Sequence, residues 1–184
     1  MKIALRKIIE GKMTYPSWST NKVYEIHCKK VTESEIIAYY CLQGPIKRKI
    51  SRTFPKYLDL SPRFIWVLGF LRGEGANSKG KSNYRRFTLT NSNPELIKIC
   101  LCELHVQKLI DITNLPKNSF HIIHALDERK ATEYWSAKLS VDSYKIKCFD
   151  DVKKTSLFGV CHVYIRDVLL RRAIDEISGY VLSL

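Results

Sequence analysis

The segment that most constrains this chain is an apolar run with glycines inside it, Phe64 to Gly75. Ser61 and Pro62 stand just ahead of the run. Both suit a helix start, because serine can cap the first turn and proline tolerates the first helical position. Gly75 stands where a helix would stop. These signals predict a helix over about residues 62–73.

The glycines inside this predicted helix need a physical reason. Ile65, Gly69 and Gly73 are four apart and share one face. Each interior glycine costs on the order of 1 kcal/mol relative to alanine, and a second helix packed backbone to backbone would offset that cost. Glu74 would then be delivered to the point where the two helices end together. The pattern also fits a buried core helix with a glycine C-cap, and alone it leaves both interpretations open.

Charge indicates a polyanionic partner. The chain has 184 residues, with 31 Lys and Arg against 18 Asp and Glu, for a formal net charge of +13. The excess is spread over both 1–60 and 61–184, so it is not a detachable tail. Nucleic acid is the expected partner, with an acidic membrane surface or plain solubility as alternatives.

Length and hydropathy predict one domain, or one domain with a sizeable appendage. No apolar run approaches the roughly 20 residues of a membrane helix, and the N-terminus lacks the features of a signal peptide. We therefore expect a soluble cytoplasmic protein with no membrane partner.

The six cysteines form no Cys-x-x-Cys pair. Cys100 and Cys102, with His105, could suggest a metal site, but their spacing is wrong for a zinc knuckle. Structural thiols of a reducing compartment are the preferred interpretation.

The first 60 residues give mixed signals. Residues 2–13 have a helical pattern, and 23–28 could be a strand or a short helix. Thr32 and Glu35 form a capping box, which predicts a helix over about 36–42. The basic segment 47–57 contains aromatics and a proline, so we expect it to be extended, either tracking a phosphate backbone or serving as a solvated linker. A helix-turn-helix here stays open as well.

The second half alternates strands and helices. Strands are predicted over 84–91, 120–125 and 160–166. Helices follow them over about 96–106, 128–138 and 168–178, each preceded by a capping side chain, namely Asn93, Asp127 and Asp167. In the first strand Phe87 and Leu89 lie on one face, which leaves the other face for hydrogen bonding.

The glycine-containing helix resembles a known motif. Residues 67–75, Val-Leu-Gly-Phe-Leu-Arg-Gly-Glu-Gly, resemble the nine-residue motif of LAGLIDADG homing endonucleases. Strand 84–91 running into Asn93-Pro94-Glu95 resembles the strand and helix start that follow in the family. Tyr134-Trp135-Ser136 and the segment 159–164 are similar to the later part of single-motif members. The resemblance covers roughly 61–184 and leaves 1–60, a basic N-terminal extension that we consider for DNA contact, unexplained.

The resemblance implies an α+β protein with the αββαββα fold, whose curved antiparallel sheet lies on DNA. One motif per chain implies a homodimer about a twofold axis, with Ile65, Gly69 and Gly73 at the interface. The two Glu74 carboxylates would meet there, and like charges so close need a cation. Mg²⁺ is the implied cofactor, held by Glu74 and the Gly73 carbonyl, and the implied activity is hydrolysis of both strands of a long, near-palindromic, double-stranded DNA site by an intron-encoded enzyme.

Two features bear on catalysis. Arg72 stands where the motif has its first acid, whereas Glu74 occupies the place of the metal-binding acid. Lys153 and Lys154 are candidates to offset transition-state charge, by analogy with late-domain lysines of the family, and a solvated turn is their alternative.

Several polar residues are candidates for reading DNA. Arginine can pair with guanine, and threonine can contact bases in the major groove. The expected base-reading face holds Tyr84, Arg86, Thr88 and Thr90; the expected phosphate contacts are Lys79, Lys81 and Arg85; and the later strand contributes His162, Tyr164 and Arg166.

Two further functions stay open. The same scaffold could have lost cleavage and act as a DNA-binding regulator or an RNA-splicing maturase. The other hypothesis is a structural dimer that binds no nucleic acid.

Overall fold

The computed structural model describes residues 1–16, 21–43, 47–74, 86–149 and 155–184. Within them the chain contains both helices and sheets, which confirms the α+β class. One hydrophobic core runs from Ile3 to Ile177 through both halves of the chain. None of the described helices is long and apolar enough to span a bilayer.

The first half is built mainly from strands. Strand β1 (Lys2–Ala4) leads into the short helix α1 (Leu5–Ile9) and pairs with β6 (Tyr57–Asp59). Between them lies an antiparallel four-stranded sheet in sequence order: β2 (Gly11–Pro16), β3 (Asn21–Lys30), β4 (Glu35–Leu42) and β5 (Arg48–Pro55). The predicted extended conformation of 47–57 is therefore confirmed, and the undecided segment 23–28 is a strand.

The helix predicted over 36–42 is wrong, because that segment forms strand β4. Ile36, Ala38 and Tyr40 alternate as buried residues, which is the two-residue period of a strand. The Thr32 hydroxyl accepts the backbone N–H of Ser34 at 3.2 Å, so it closes a local turn instead of capping a helix. The helical prediction over 2–13 holds only for α1, and the described part of 1–60 contains no helix-turn-helix.

The second half begins with helix α2 (Pro62–Glu74), as predicted, and the Ser61 hydroxyl accepts the Phe64 N–H at 3.0 Å. The elements that follow are β7 (Phe87–Asn91), α3 (Pro94–Val106), β8 (Phe120–Ile123), α4 (Glu128–Leu139), β9 (Ile146–Cys148), β10 (Val160–Ile165) and α5 (Val168–Leu182). The caps Asn93, Asp127 and Asp167 are confirmed, with N–H to carbonyl or carboxylate oxygen distances of 2.8–3.0 Å.

The second sheet has the strand order β7-β10-β8-β9. Strand β10 is antiparallel to β7 and β8, whereas β8 and β9 run parallel. The prediction of a wholly antiparallel sheet is therefore wrong at this edge. Helix α5 lies between the two halves and contacts α1 and β5 as well as α2 and β7.

Candidate nucleic-acid interface

Helix α2 is apolar on two sides. Phe64, Val67, Leu68 and Leu71 form its buried side, each at most 1% exposed. On the opposite side Ile65 is 41% and Trp66 47% exposed, and the Trp66 ring stacks on Phe70 with centroids 5.4 Å apart. Packing in the core of this chain therefore accounts for the apolar residues on only one side of α2.

The two glycines lie on this exposed side. A Cβ atom added at Gly69 or Gly73 would meet nothing within 4 Å in the described chain. Packing among the described residues therefore does not require glycine at either position. We name the exposed side, consisting of Ile65, Trp66, Gly69, Phe70 and Gly73, the outer α2 face.

The end of α2 carries the proposed metal ligands. Gly73 is exposed in the last turn, where helix carbonyls lack intrahelical partners. Glu74 is the last helical residue, and its side chain lies outside what the structure describes. The other predicted site residues that lie outside the described part of the chain are Lys79, Lys81, Tyr84, Arg85, Lys153 and Lys154.

The second sheet presents one face to the helices and the other away from the core. Phe87 and Leu89 of β7 are buried, as predicted, while Thr90 points to the opposite face. Thr90 lies directly across from His162 of β10, and its hydroxyl is 2.9 Å from the His162 Nδ1 atom. The next pair on this face is Thr88 with Tyr164, where Thr88 is only 7% exposed.

Aromatic rings and cations continue this face across the sheet. The His121 ring of β8 contacts Tyr164 at 4.5 Å and Phe149 at 4.9 Å between centroids. The Arg86 guanidinium lies 4.5 Å from the Tyr164 centroid, and the Lys147 ammonium lies 4.7 Å from the Phe149 centroid. We name the whole set the polar sheet face: Arg86, Thr88, Thr90, His121, Lys147, Phe149, His162 and Tyr164.

The polar sheet face carries positive charge, and none of its members is acidic. Its two fixed cations, Arg86 and Lys147, stand over aromatic rings, a geometry that holds their charge in place. Its histidines are neutral at pH 7, since burial lowers the pKa of both His121 and His162, and nearby positive groups lower both pKa values further. The face thus offers fixed charge for phosphates and neutral rings and hydroxyls for bases.

Arg166 stands just beyond this face. It is exposed directly after β10, and the next residue, Asp167, forms an ion pair with Arg52 of β5. Arg52 also donates to the Leu109 carbonyl oxygen. The end of β10 is therefore tied to the first sheet.

Cysteine chemistry does not contribute to this interface. Cys100 is buried on α3, and burial raises the pKa of its thiol to about 12, so it stays protonated. The His105 Nδ1 atom lies 3.3 Å from the Ile110 carbonyl oxygen in the loop after α3. Among the residues that the structure describes, no cluster of three or more His, Cys, Asp or Glu could hold a metal.

The sequence patterns did not indicate three members of the polar sheet face: His121, Lys147 and Phe149. His121 lies on β8, where alternation within the predicted strand could have placed it on this face. Lys147 and Phe149 lie on and after β9, a strand of three residues, which is too short to show an alternating pattern. The place of Lys147 and Phe149 on this face becomes visible only when β9 is aligned beside β8, where the His121 ring contacts Phe149.

Comparisons with protein-family models, with curated proteins and with solved structures found no match for this chain.

Proposed function

We propose that this protein is a homodimeric, Mg²⁺-dependent, site-specific DNA endonuclease of the LAGLIDADG type. The observation that carries the proposal is the outer α2 face. Its glycines have no role inside the described chain, and its large apolar side chains are exposed. A second copy of α2 packed on this face would bury the apolar side chains and approach closely at the glycines.

A twofold contact between two α2 helices follows from the chemistry of this face. Small residues let two helix backbones approach closely, and Ile65 lies one turn before Gly69 to fill the adjoining space. Burying Ile65 and Trp66 removes apolar area from water, which favours association at roughly 25 cal/mol per Å². The twofold axis then brings the two Glu74 residues to the same end of the interface.

The available ligand atoms suit Mg²⁺, which prefers oxygen and keeps several waters. Glu74 and the carbonyl oxygen of Gly73 would hold the metal, with the same pair from the second copy. When bound, Mg²⁺ would stabilise the charged oxygens of phosphodiester hydrolysis. A single chain supplies too few ligands, which agrees with a site shared between two copies.

The polar sheet face supports DNA as the substrate. A β-sheet can enter the major groove, where arginine pairs with guanine and hydroxyls contact either base type. Arg86 and Thr90 supply those groups, and Lys147 adds a cation suited to a phosphate. Arg166 extends the positive surface beyond the end of β10.

In a second candidate function, the protein binds nucleic acid but does not cleave it. Arg72 favours it, because an exposed cation stands two residues before Glu74, where the motif has an acid. The protein would then be a DNA-binding regulator or an RNA-splicing maturase on the same scaffold.

Selection of cleaved sequences from a randomised duplex library, with and without Mg²⁺, tests the proposal. We expect Mg²⁺-dependent cutting of both strands at a near-palindromic site. Glu74→Gln should abolish cutting and keep binding, whereas the matched control Glu133→Gln, an exposed acid on α4, should change neither. Binding without any cutting by the unmodified protein would support the regulator instead. Cutting that survives Glu74→Gln would overturn the metal-site assignment.

A further inference from the structure

The first sheet has an outward side that the proposed function does not use. In β4, Ile36, Ala38 and Tyr40 face the core, so the residues between them face outward. Cross-strand partners point to the same side of a sheet. The register therefore places one set together, which we name the outer N-terminal face: His27, Lys29, Ile37, Tyr39, Lys49, Ser51 and Thr53.

Tyr39 lies at the centre of this face. It stands between His27 of β3 and Ser51 of β5 in one cross-strand row, and the His27 ring is 5.5 Å from the Tyr39 ring between centroids. The Lys49 ammonium lies 3.9 Å from the Tyr39 centroid. This contact holds the ammonium above the sheet, where a ligand on the face would meet it.

Two lysines at opposite corners give the face its charge. Lys29 and Lys49 are both exposed, and strand geometry places their Cα atoms roughly 17 Å apart on the diagonal. Lysines at this separation would contact different phosphates. Two acids lie on the same side of the sheet. Glu25, two residues before His27 on β3, pairs in register with Lys12, and Glu35 begins β4, two residues before Ile37.

We propose that the outer N-terminal face is a second contact surface for the backbone of duplex DNA. Lys29 and Lys49 would each contact a phosphate, and the exposed hydroxyls of Ser51 and Thr53 would donate to phosphate oxygens. This proposal rests on the proposed function only in taking duplex DNA as the partner. It assigns to residues 1–60 a role that the endonuclease-like half does not supply.

The connection between the two halves leaves the outer N-terminal face open. Arg52 lies between Ser51 and Thr53 on β5, so its side chain points to the opposite, inner side of the sheet, where it pairs with Asp167, the residue after Arg166. The first sheet is therefore held at the end of β10 through its inner side. A duplex would meet the outer N-terminal face from the side of the sheet that points away from Asp167.

The salt dependence of binding to a fluorescently labelled, mixed-sequence DNA duplex tests this proposal. A plot of log affinity against log salt has a slope close to the number of phosphate contacts. We expect K29A/K49A to reduce the magnitude of that slope by about two, and to weaken binding at about 100 mM salt by roughly tenfold or more. The charge-keeping variant K29R/K49R should retain the slope.

Two further variants separate this proposal from the proposed function. The matched control K7A/K138A removes two exposed lysines from α1 and α4, and it should leave the slope unchanged. R86A/K147A removes the fixed cations of the polar sheet face. If R86A/K147A weakens binding while K29A/K49A behaves like the control, the outer N-terminal face is not a DNA contact. If only K29A/K49A weakens binding, the polar sheet face is not a DNA contact. A greater loss on single-stranded than on duplex DNA would also refute the duplex assignment.

Discussion

Replacing Gly69 with alanine should change the stability of the monomer and the stability of the proposed dimer in opposite directions. Inside the chain the new Cβ meets no atom within 4 Å, so no clash opposes it. Alanine is about 1 kcal/mol more favourable than glycine inside a helix. Gly69→Ala should therefore stabilise the monomer by about 1 kcal/mol.

The same methyl group should act in the opposite direction at a twofold interface. Overpacking a close contact costs about 1–3 kcal/mol, and the twofold axis repeats the change in both copies. The dimer should weaken by at least about 2 kcal/mol, which raises the dimer Kd about thirtyfold. Leucine would place a larger side chain in the same close contact, so Gly69→Leu should weaken the dimer more than Gly69→Ala.

Two measurements on the same samples test this reasoning. Sedimentation equilibrium gives the dimer Kd, and urea unfolding at low protein concentration gives the free energy of unfolding of the monomer. Gly179→Ala is the matched control, since Gly179 lies in α5, is exposed, and also has no atom within 4 Å of an added Cβ. It should stabilise the monomer equally and leave the Kd unchanged. A Gly69→Ala protein with an unchanged Kd would refute the outer α2 face as the interface.

Three other substitutions probe features that hold the candidate interface in place. Gly159→Ala should lower the free energy of unfolding by at least about 2 kcal/mol, because φ is +68° and a Cβ would lie 2.3 Å from the Ile123 carbonyl oxygen. Arg52→Met should lower it by about 2 kcal/mol, since it leaves the half-buried Asp167 without its ion partner. His162→Gln should flatten the pH dependence of stability below pH 6.5, which urea unfolding across a pH series measures.

The sign of the His162 effect follows from its lowered pKa. The unfolded state binds a proton at a higher pH than the folded state does, so stability is full above the ordinary pKa of 6.5 and falls as the pH drops below it. A variant that loses stability on acidification as steeply as the unmodified protein would contradict this account. For Gly159→Ala and Arg52→Met, changes below about 0.5 kcal/mol would contradict the assigned strain and the assigned ion pair.

The sequence predicted helices best where a capping side chain and an apolar pattern agreed. Asn93, Asp127 and Asp167 each accept a backbone N–H of the first turn, and the helices after them begin within two residues of the predicted start. The capping box at Thr32 and Glu35 failed because it is a local signal. Residues 35–42 alternate at the strand period and pair with strands on both sides, and those pairings involve residues outside the four that define a capping box.

The candidate site was predicted in part for the same reason. Arg86, Thr90, His162 and Tyr164 follow from the alternation within single strands. Their contacts with one another depend on which strand lies beside which, and no pattern within one strand specifies that order. The spacing of Ile65, Gly69 and Gly73 predicted that they share one face of α2, since four-residue spacing fixes a helix face without reference to the rest of the chain. Trp66 and Phe70, the other members of the outer α2 face, were not predicted.

The position of α5 between the two sheets has a consequence for how the chain folds during synthesis. The first sheet leaves the ribosome early, yet Arg172 of α5 donates to the Lys12 carbonyl oxygen across 160 residues of sequence. The core of the first sheet therefore stays incomplete until α5 has been made. Contacts of such long range slow folding and leave apolar strands exposed in the meantime. We expect the nascent chain to depend on chaperones until its final helix docks.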